Sequence, residues 1–219
     1  MFGLSNEQFT RYARHIMIEE FGFEGQRKLL DSKILVVGAG GLGSPVIYYL
    51  AAAGVGTIGI VENDVVDLSN LQRQILHDSY SIGEKKVEVA KRKVKVLNPD
   101  VEVVTYDVYL DKTNVLDIIR NYDVVVDCTD NFPTRFLLND ACYFAGKPLV
   151  HGAVLRFEGQ VSVFWPSDEN PCYRCIYSEP PSGHAITCRE AGVLGAVVGV
   201  IGSLQAVEAI KLVTGIGQL

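Results

Sequence analysis

The chain has 219 residues, 48% of them hydrophobic, and a formal net charge of −6. Its length and composition fit one folded domain with a buried core. The negative charge disfavours general nucleic-acid binding, because no overall positive field attracts phosphate backbones.

The amino-terminal two thirds predicts helices that alternate with buried strands. An amphipathic helix is predicted over residues 5–20, where Ser5 and Gln8 have the spacing of a capping box. Uninterrupted apolar runs then alternate with helical patterns, which is typical of a parallel sheet buried on both faces. The predicted strands are 33–38, 57–62, 101–105 and 123–128, and the predicted helices are 44–53, 84–97, 114–121 and 133–145.

The pattern changes after residue 145. Two strands are predicted within 148–166, with a turn near Glu158 and Gly159, as an antiparallel addition. The polar segment 166–190 holds four of the eight prolines and is predicted to be a functional crossover loop. A last helix is predicted over 204–213. The predicted fold class is therefore α/β: a Rossmann-like, mostly parallel sheet in a single domain spanning 1–219, with a helical arm over 1–30.

Two features of the sequence indicate where in the cell the protein lies: the apolar run 191–204 and the number of cysteines. The run contains four glycines and is shorter than the roughly 20 residues of a membrane span, so it is expected in the buried core. The first residues lack the pattern of a secretory signal. An odd number of cysteines, five, favours a reducing compartment. We expect a cytoplasmic protein with no membrane partner.

A glycine-rich turn follows the first predicted strand. Gly38, Gly40 and Gly43 fit G-x-G-x-x-G between a strand and a helix, the setting in which a helix amino terminus binds phosphate. Glu62 ends the next strand, where a carboxylate can accept ribose hydroxyls. Alone, this motif does not distinguish NAD, FAD, S-adenosylmethionine and ATP, and a turn that only packs a helix is the simpler alternative.

Polar and charged side chains gather after the second predicted strand, at the ligand edge of such a sheet. Hydride transfer has little use for several cations there, whereas nucleotidyl transfer must compensate charge on phosphate oxygens. The pattern therefore favours ATP, with a solvated charged loop as the alternative. The residues are Asp64, Asn70, Arg73, Gln74, Lys85 and Lys86.

Two carboxylates follow the strand 123–128. Asp130 is the better candidate for Mg²⁺, which proteins bind through one or two carboxylates plus substrate phosphates. Asp127 could instead brace the turn. An aspartate before a helix is also a common cap, which is the structural alternative for Asp130.

Six segments together resemble the ThiF/MoeB/HesA family, relatives of the ubiquitin-activating enzymes, with the MoeB branch nearest. The resemblance extends from about residue 5 to residue 215. It implies that ATP and Mg²⁺ adenylate the carboxyl-terminal glycine of a small ubiquitin-like sulfur carrier that ends in Gly-Gly. It also implies a homodimer. The segments are GAGGLGS, DLSNLQRQ, GEKKVE, DCTDN, PCYRC and VIGSLQAVEAIK.

The resemblance also implies roles by position. Arg14 would enter the partner subunit's site, Asp130 would hold Mg²⁺, and Glu62 would bind ribose, where the family more often has Asp. The implied catalytic residues are Arg14, Arg73, Lys86, Asp130 and Cys188. The implied ATP-binding residues are Gly40, Gly41, Glu62, Asp64, Asn70, Arg73, Lys86 and Asp130.

The cysteines leave two questions open. Cys172 and Cys175 form C-x-x-C, which is either half of a Zn²⁺ site or a redox dithiol. The second pair that completes the zinc site in the family is not among the 219 residues. Cys188, beside Arg189, stands where some family members have a nucleophilic thiol, and its role stays open.

Three functional hypotheses follow. The first is the adenylyltransferase. The second is an NAD-dependent oxidoreductase, which the glycine motif supports and the cluster of Asn70, Arg73 and Lys86 opposes. The third is a non-catalytic dimeric scaffold of the same fold, which the retained site residues oppose. Within the first, a peptide or a tRNA base is the alternative substrate, and the negative charge disfavours the tRNA.

Overall fold

One six-stranded sheet organises the protein. The computed structural model describes residues 4–167, 169–179 and 192–219. The strand order is β3-β2-β1-β4-β5-β6, in which β6 alone pairs antiparallel within this sheet. The predicted α/β class, including the antiparallel addition, is confirmed. The strands are β1 (Lys33–Val37), β2 (Thr57–Val61), β3 (Glu102–Tyr106), β4 (Val124–Asp127), β5 (Leu149–Leu155) and β6 (Glu158–Phe164).

Helices cover both faces of the sheet. Two short 3₁₀ turns, Leu68–Asn70 and Ser79–Ser81, lie between β2 and the next helix. The described helices are α1 (Asn6–Ile16), α2 (Gly22–Asp31), α3 (Gly43–Ala53), α4 (Lys86–Leu97), α5 (Val115–Ile119), α6 (Phe132–Ala145), α7 (Tyr173–Ile176) and α8 (Gly195–Thr214).

Strand β1 shows why the central strands are uninterrupted apolar runs. Ile34 and Val36 point into one core, shared with α3, α4 and α8. Leu35 and Val37 point into a second core, shared with α5 and α6. Because both faces of the strand are buried after the exposed Lys33, the four positions that follow are all apolar, which is typical of parallel sheets.

The amino-terminal arm contains two helices where the sequence predicts one. The predicted capping box is confirmed, since Ser5 and Gln8 each accept a hydrogen bond from the other's backbone N–H. The prediction of one helix over 5–20 is wrong, because α1 ends at Ile16 and α2 begins at Gly22. Gly22 has φ +52°, which breaks the helical path.

Helix α8 is longer than the predicted segment 204–213. It begins at Gly195, nine residues before the predicted start. The glycines in this segment do not predict a helix, because glycine has a low helix propensity. Gly202 is needed because there is no space for a side chain at this position, and not because the backbone must be flexible there. A Cβ there would lie 2.5 Å from the Leu42 carbonyl oxygen, so only glycine lets α8 approach α3 this closely.

The β5–β6 hairpin turns at Arg156 and Phe157, two residues before the predicted position at Glu158 and Gly159. Arg156 takes the left-handed conformation, with φ +56°. Gly159 lies within β6, where a Cβ would lie 2.4 Å from Cγ1 of Ile201. The glycine that suggested a turn is therefore needed for packing against α8.

One face of α8 is exposed. The run 191–204, expected in the buried core, is buried only on one side over its described residues, because Val198 is 4% exposed but Val200 is 59% and Leu204 is 47% exposed. Val207, one helical turn further, is also about half exposed. Within the described residues, α8 is the one helix long and apolar enough to cross a membrane. Its other face packs on the sheet and on α3, as a core helix does.

Candidate nucleotide-binding site

A cavity of about 290 Å³ opens at the carboxyl ends of β1, β2 and β4. The strand order reverses between β1 and β4, which is where open parallel sheets bind their ligands. Its volume is at the small end of ligand sites. Most of the predicted site residues line it: Gly40, Gly41, Glu62, Asp64, Asn70, Arg73, Lys86 and Asp130.

Glycine is sterically required at three positions of the turn between β1 and α3. Gly38 has φ +100°, and a Cβ on it would lie 2.8 Å from the Cys128 carbonyl oxygen. A Cβ on Gly43 would lie 1.9 Å from the Gly38 carbonyl oxygen. One on Gly41 would lie 2.8 Å from Cγ1 of Val198. The turn thus brings bare backbone to the cavity wall, as phosphate binding requires.

Glu62 fastens this turn to the end of β2. Its carboxylate accepts hydrogen bonds from the backbone N–H groups of Ala39 (3.1 Å), Asn63 (2.9 Å) and Asp64 (3.1 Å). The predicted ribose-binding residue therefore lies in the cavity but already braces two loops.

Two cationic side chains lie beside the turn. The Lys86 ammonium donates to Asp64 Oδ2 at 3.1 Å, and the Lys86 side chain is only 4% exposed. Lys86 lies in the first turn of α4, as predicted. Arg73 is half-buried and donates to the Ser69 carbonyl and to Gln72 Oε1. Both side chains line the cavity, where cations are suited to compensate the charge of anionic oxygens.

Asp130 and Asp127 have opposite environments. Asp130 is exposed, and among the described residues its carboxylate has no hydrogen-bond or ion-pair partner. Asp127 is fully buried and accepts from Thr129 N and Oγ1 and from Nδ1 of His151, at 2.7 Å. Burial alone raises the pKa of Asp127, but His151, Arg135 and Thr129 together lower it below its ordinary value. Asp127 therefore braces the turn that presents Asp130.

Two buried polar residues at or beside the site, His77 and Arg135, were not identified from the sequence as site residues. His77 must carry its proton on Nε2, because that nitrogen lies 2.8 Å from the Ala39 carbonyl, which only accepts. Burial, above all, lowers the pKa of His77, which keeps the ring neutral. Arg135 lines the cavity and is less than a tenth exposed, as is Gln74, which the sequence did place at this edge of the sheet. No local pattern indicates the burial of His77 and Arg135, because each has a polar neighbour in the chain, Asp78 and Thr134 respectively.

Arg14 lies outside the cavity. It is exposed on α1, and its guanidinium contacts Met17 Sδ at 3.7 Å. Helix α1 packs at the opposite edge of the sheet, where Gln8 donates to Asp100 and Tyr12 contacts Asn98. Arg14 therefore does not reach the cavity of its own chain.

The cysteine pair lies at the start of α7. The Sγ atoms of Cys172 and Cys175 are 3.7 Å apart, close to the roughly 3.8 Å edge of a tetrahedral zinc site with Zn–S bonds of 2.3 Å. Burial alone would raise the pKa of Cys172, but hydrogen bonds from Cys175, Arg174 and Asn139 lower it. No third metal-ligating side chain joins the pair within the described ranges. Cys188 lies outside the described residues.

The open parallel sheet with a glycine turn and a cation-lined cavity defines a nucleotide-binding protein of the Rossmann type. A model of the ThiF family matches residues 12–219, and the chain belongs to that family.

Curated relatives agree with the family. The chain is 49% identical over 219 residues to "Sulfur carrier protein adenylyltransferase" of Thermus thermophilus, covering 98% of this chain and 81% of that protein. It is 50% identical over 216 residues to "SAMP-activating enzyme E1" of Haloferax volcanii, with 98% and 79% covered. It is 48% identical to "Probable adenylyltransferase/sulfurtransferase MoeZ" of Mycobacterium tuberculosis, over 98% of this chain and 56% of that protein. The chain thus spans little more than half of some relatives it matches.

Solved structures show the same fold at low sequence identity. Escherichia coli MccB with MccA-N7isoASN superposes with a TM-score of 0.83 at 23% identity, covering 98% of this chain and 66% of that one. A structure of PaaA gives a TM-score of 0.83 at 21% identity, with 98% and 68% covered.

Proposed function

We propose that the protein is an adenylyltransferase that uses ATP to activate the carboxyl-terminal glycine of a small ubiquitin-like sulfur carrier ending in Gly-Gly. The observation that carries the proposal is the convergence on one cavity of a bare glycine turn, Lys86, Arg73 and Asp130, whose carboxylate has no partner among the described residues. Membership of the ThiF family supports it. So do the names of the relatives from Thermus thermophilus and Haloferax volcanii.

The residues suit a displacement that needs no general base. The carrier's carboxylate is ionised at neutral pH. One of its oxygens forms a bond to the α-phosphorus of ATP, while the bond from that phosphorus to the bridging oxygen breaks. Pyrophosphate leaves with the electron pair. Gly40 and Gly41 let the phosphates approach the backbone, Lys86 and Arg73 compensate their charge, and the neutral Asn70 amide can donate a hydrogen bond to them.

Asp130 fits a magnesium ligand. Its carboxylate is exposed in the cavity and, within the part of the chain that is described, has no protein partner. A single carboxylate beside substrate phosphates is the donor set that Mg²⁺ prefers. Bound there, Mg²⁺ would neutralise charge on the leaving pyrophosphate.

A homodimer with composite sites is part of the proposal. Arg14 is exposed and outside its own cavity, which suits entry into a partner's site. The exposed apolar face of α8, with Val200, Leu204 and Val207 at helical spacing, suits a subunit interface.

Three smaller assignments complete the proposal. We place the enzyme in the cytoplasm. For the cysteine pair we propose a zinc half site, since its sulfur separation fits one. A nucleophilic role for Cys188 stays a prediction.

The proposal is tested by ATP–pyrophosphate exchange with a panel of Gly-Gly-ended sulfur carriers from the same source. Exchange that requires one carrier establishes adenylation and identifies the partner. The matched control is the same carrier without its terminal glycine, which should support no exchange. No exchange with any carrier, together with measurable NAD binding, would refute the proposal in favour of a dehydrogenase.

A further inference from the structure

Arg135 is a buried cation whose charge no nearby carboxylate neutralises by direct contact. Its residue is 9% exposed, and its Nε has no hydrogen-bond partner. Among the described residues, no carboxylate oxygen lies within ion-pair distance of it. Its charge acts from farther away on the buried Asp127, whose pKa burial raises and His151, Arg135 and Thr129 together lower. Burying an unpaired charge is costly, so a purely stabilising role would be better filled by an apolar side chain.

The contacts of Arg135 converge on the segment that carries Asp130. Its Nη2 donates to the Thr129 carbonyl at 3.1 Å, one residue before Asp130. Its guanidinium lies 5.3 Å from the centre of the Phe132 ring, two residues after Asp130. The side chain therefore holds the loop on both sides of the proposed magnesium ligand, and it also lines the cavity.

Tyr173 supports Arg135 from the cysteine-bearing helix. Its ring is buried against Phe136, His151 and Phe164. Burial raises the pKa of the Tyr173 hydroxyl, and the charge of Arg135 lowers it in part. Phe136, the residue after Arg135 in α6, packs edge-on against the Tyr173 ring at 5.2 Å. Because Tyr173 stands between Cys172 and Cys175 in the chain, this packing joins α7 to the start of α6, which follows the loop that carries Asp130.

We propose that Arg135 is a positioning residue that sets the Asp130 loop for Mg²⁺–nucleotide binding, and that Tyr173 supports it from α7. The inference rests on the proposed function. Arg135 acts through the Thr129 carbonyl and not by contact with the reacting atoms. Residues that orient metal ligands in this way typically change metal affinity about 10- to 100-fold when they are mutated.

The test compares Arg135→Gln, Arg135→Lys and Tyr173→Phe with wild type. Binding of a fluorescent ATP analogue is titrated with Mg²⁺, with an EDTA baseline, and pyrophosphate exchange is measured in parallel. Arg120→Lys and Tyr143→Phe are the matched controls, since Arg120 lies on the surface and Tyr143 is about half exposed. Melting temperatures are recorded for all variants.

We expect Arg135→Gln to raise the Mg²⁺ concentration for half-maximal binding about 10-fold or more. Arg135→Lys should restore part of this loss, because lysine keeps the charge but not the fork of donors. Tyr173→Phe should have a smaller effect in the same direction. Binding in EDTA should change less than about twofold, since the nucleotide contacts remain.

Two results would overturn the inference. One is an unchanged Mg²⁺ requirement in folded Arg135→Lys and Tyr173→Phe, even if their melting temperatures fall, since that pattern indicates a structural role only. The other is equal loss of binding with and without Mg²⁺. If wild type binds Mg²⁺–nucleotide but exchanges no pyrophosphate with any carrier, the proposed function fails, while the binding titration still decides the role of Arg135.

Discussion

The ion pair between Lys86 and Asp64 gives a quantitative test of the site's electrostatics. Asp64→Asn keeps the shape and the backbone bond from Lys86 N to the Asp64 carbonyl but removes the negative charge. The Lys86 ammonium, whose side chain is 4% exposed, then lacks its counter-ion. We expect the variant to be less stable than wild type in the absence of nucleotide.

The size of the effect follows from geometry. At an effective dielectric constant of about 20, unit charges 3.1 Å apart attract by about 5 kcal/mol. Because the Asp64 side chain is 57% exposed, solvent screens much of this, and we expect a net loss of about 1–2 kcal/mol. For a chain of this size, that corresponds to a fall in melting temperature of about 2–8 °C.

The assay is thermal unfolding by circular dichroism, and the chain offers a matched control. Glu24 lies 3.2 Å from Arg27, but both side chains are more than half exposed. Glu24→Gln should change the free energy of unfolding by less than about 0.5 kcal/mol. Equal shifts for Asp64→Asn and Glu24→Gln would refute the reasoning that burial of Lys86 strengthens its pair.

Four further predictions concern the site. Asp130→Ala should abolish pyrophosphate exchange and leave the melting temperature within about 2 °C, since the carboxylate is exposed. Inactive Arg14→Ala mixed with inactive Asp130→Ala should recover roughly a quarter of the activity, because half of randomly mixed dimers carry one intact composite site. Gly43→Ala should lower stability by about 3 kcal/mol or more and weaken nucleotide binding, because the new Cβ would lie 1.9 Å from the Gly38 carbonyl oxygen. Asp127→Asn should make the free energy of unfolding fall less steeply as the pH is lowered below about 4. The reason is that the pKa of Asp127 is lowered in the folded state, so its ionised form stabilises the wild type above about pH 4, and this contribution is lost as the pH falls through the folded pKa.

Each of these has a result that contradicts it. Exchange at the wild-type rate in Asp130→Ala would remove the magnesium assignment. No recovery in the mixed dimers would argue against Arg14 acting in trans. Gly199→Ala is the control for Gly43, since a Cβ there meets nothing within 4 Å, and equal losses in both would contradict the steric argument. Parallel pH–stability curves for wild type and Asp127→Asn would show that the Asp127 pKa is not lowered.

The sequence predicted the ligand edge of the sheet well, because that edge follows from local signals. Apolar runs defined the strands, and the glycine spacing defined the turn between β1 and α3. The polar residues after β2 and β4 then had to converge, since parallel strands end at the same edge. The start of α8 was missed because Gly195 and Gly202 suggest flexibility locally, while their actual role is close packing.

The sequence by itself thus determined the order of elements, the family and most of the cavity lining, all through neighbours in the chain. Tertiary structure decided the rest. Asp127 meets His151 across 24 residues, and Gln205 reaches the Asp127 carbonyl across 78. Burial set Arg135 against the Thr129 carbonyl, and packing at the opposite edge of the sheet placed Arg14 outside its own cavity. Such properties depend on which distant segments pack together, and no local pattern of side chains specifies them.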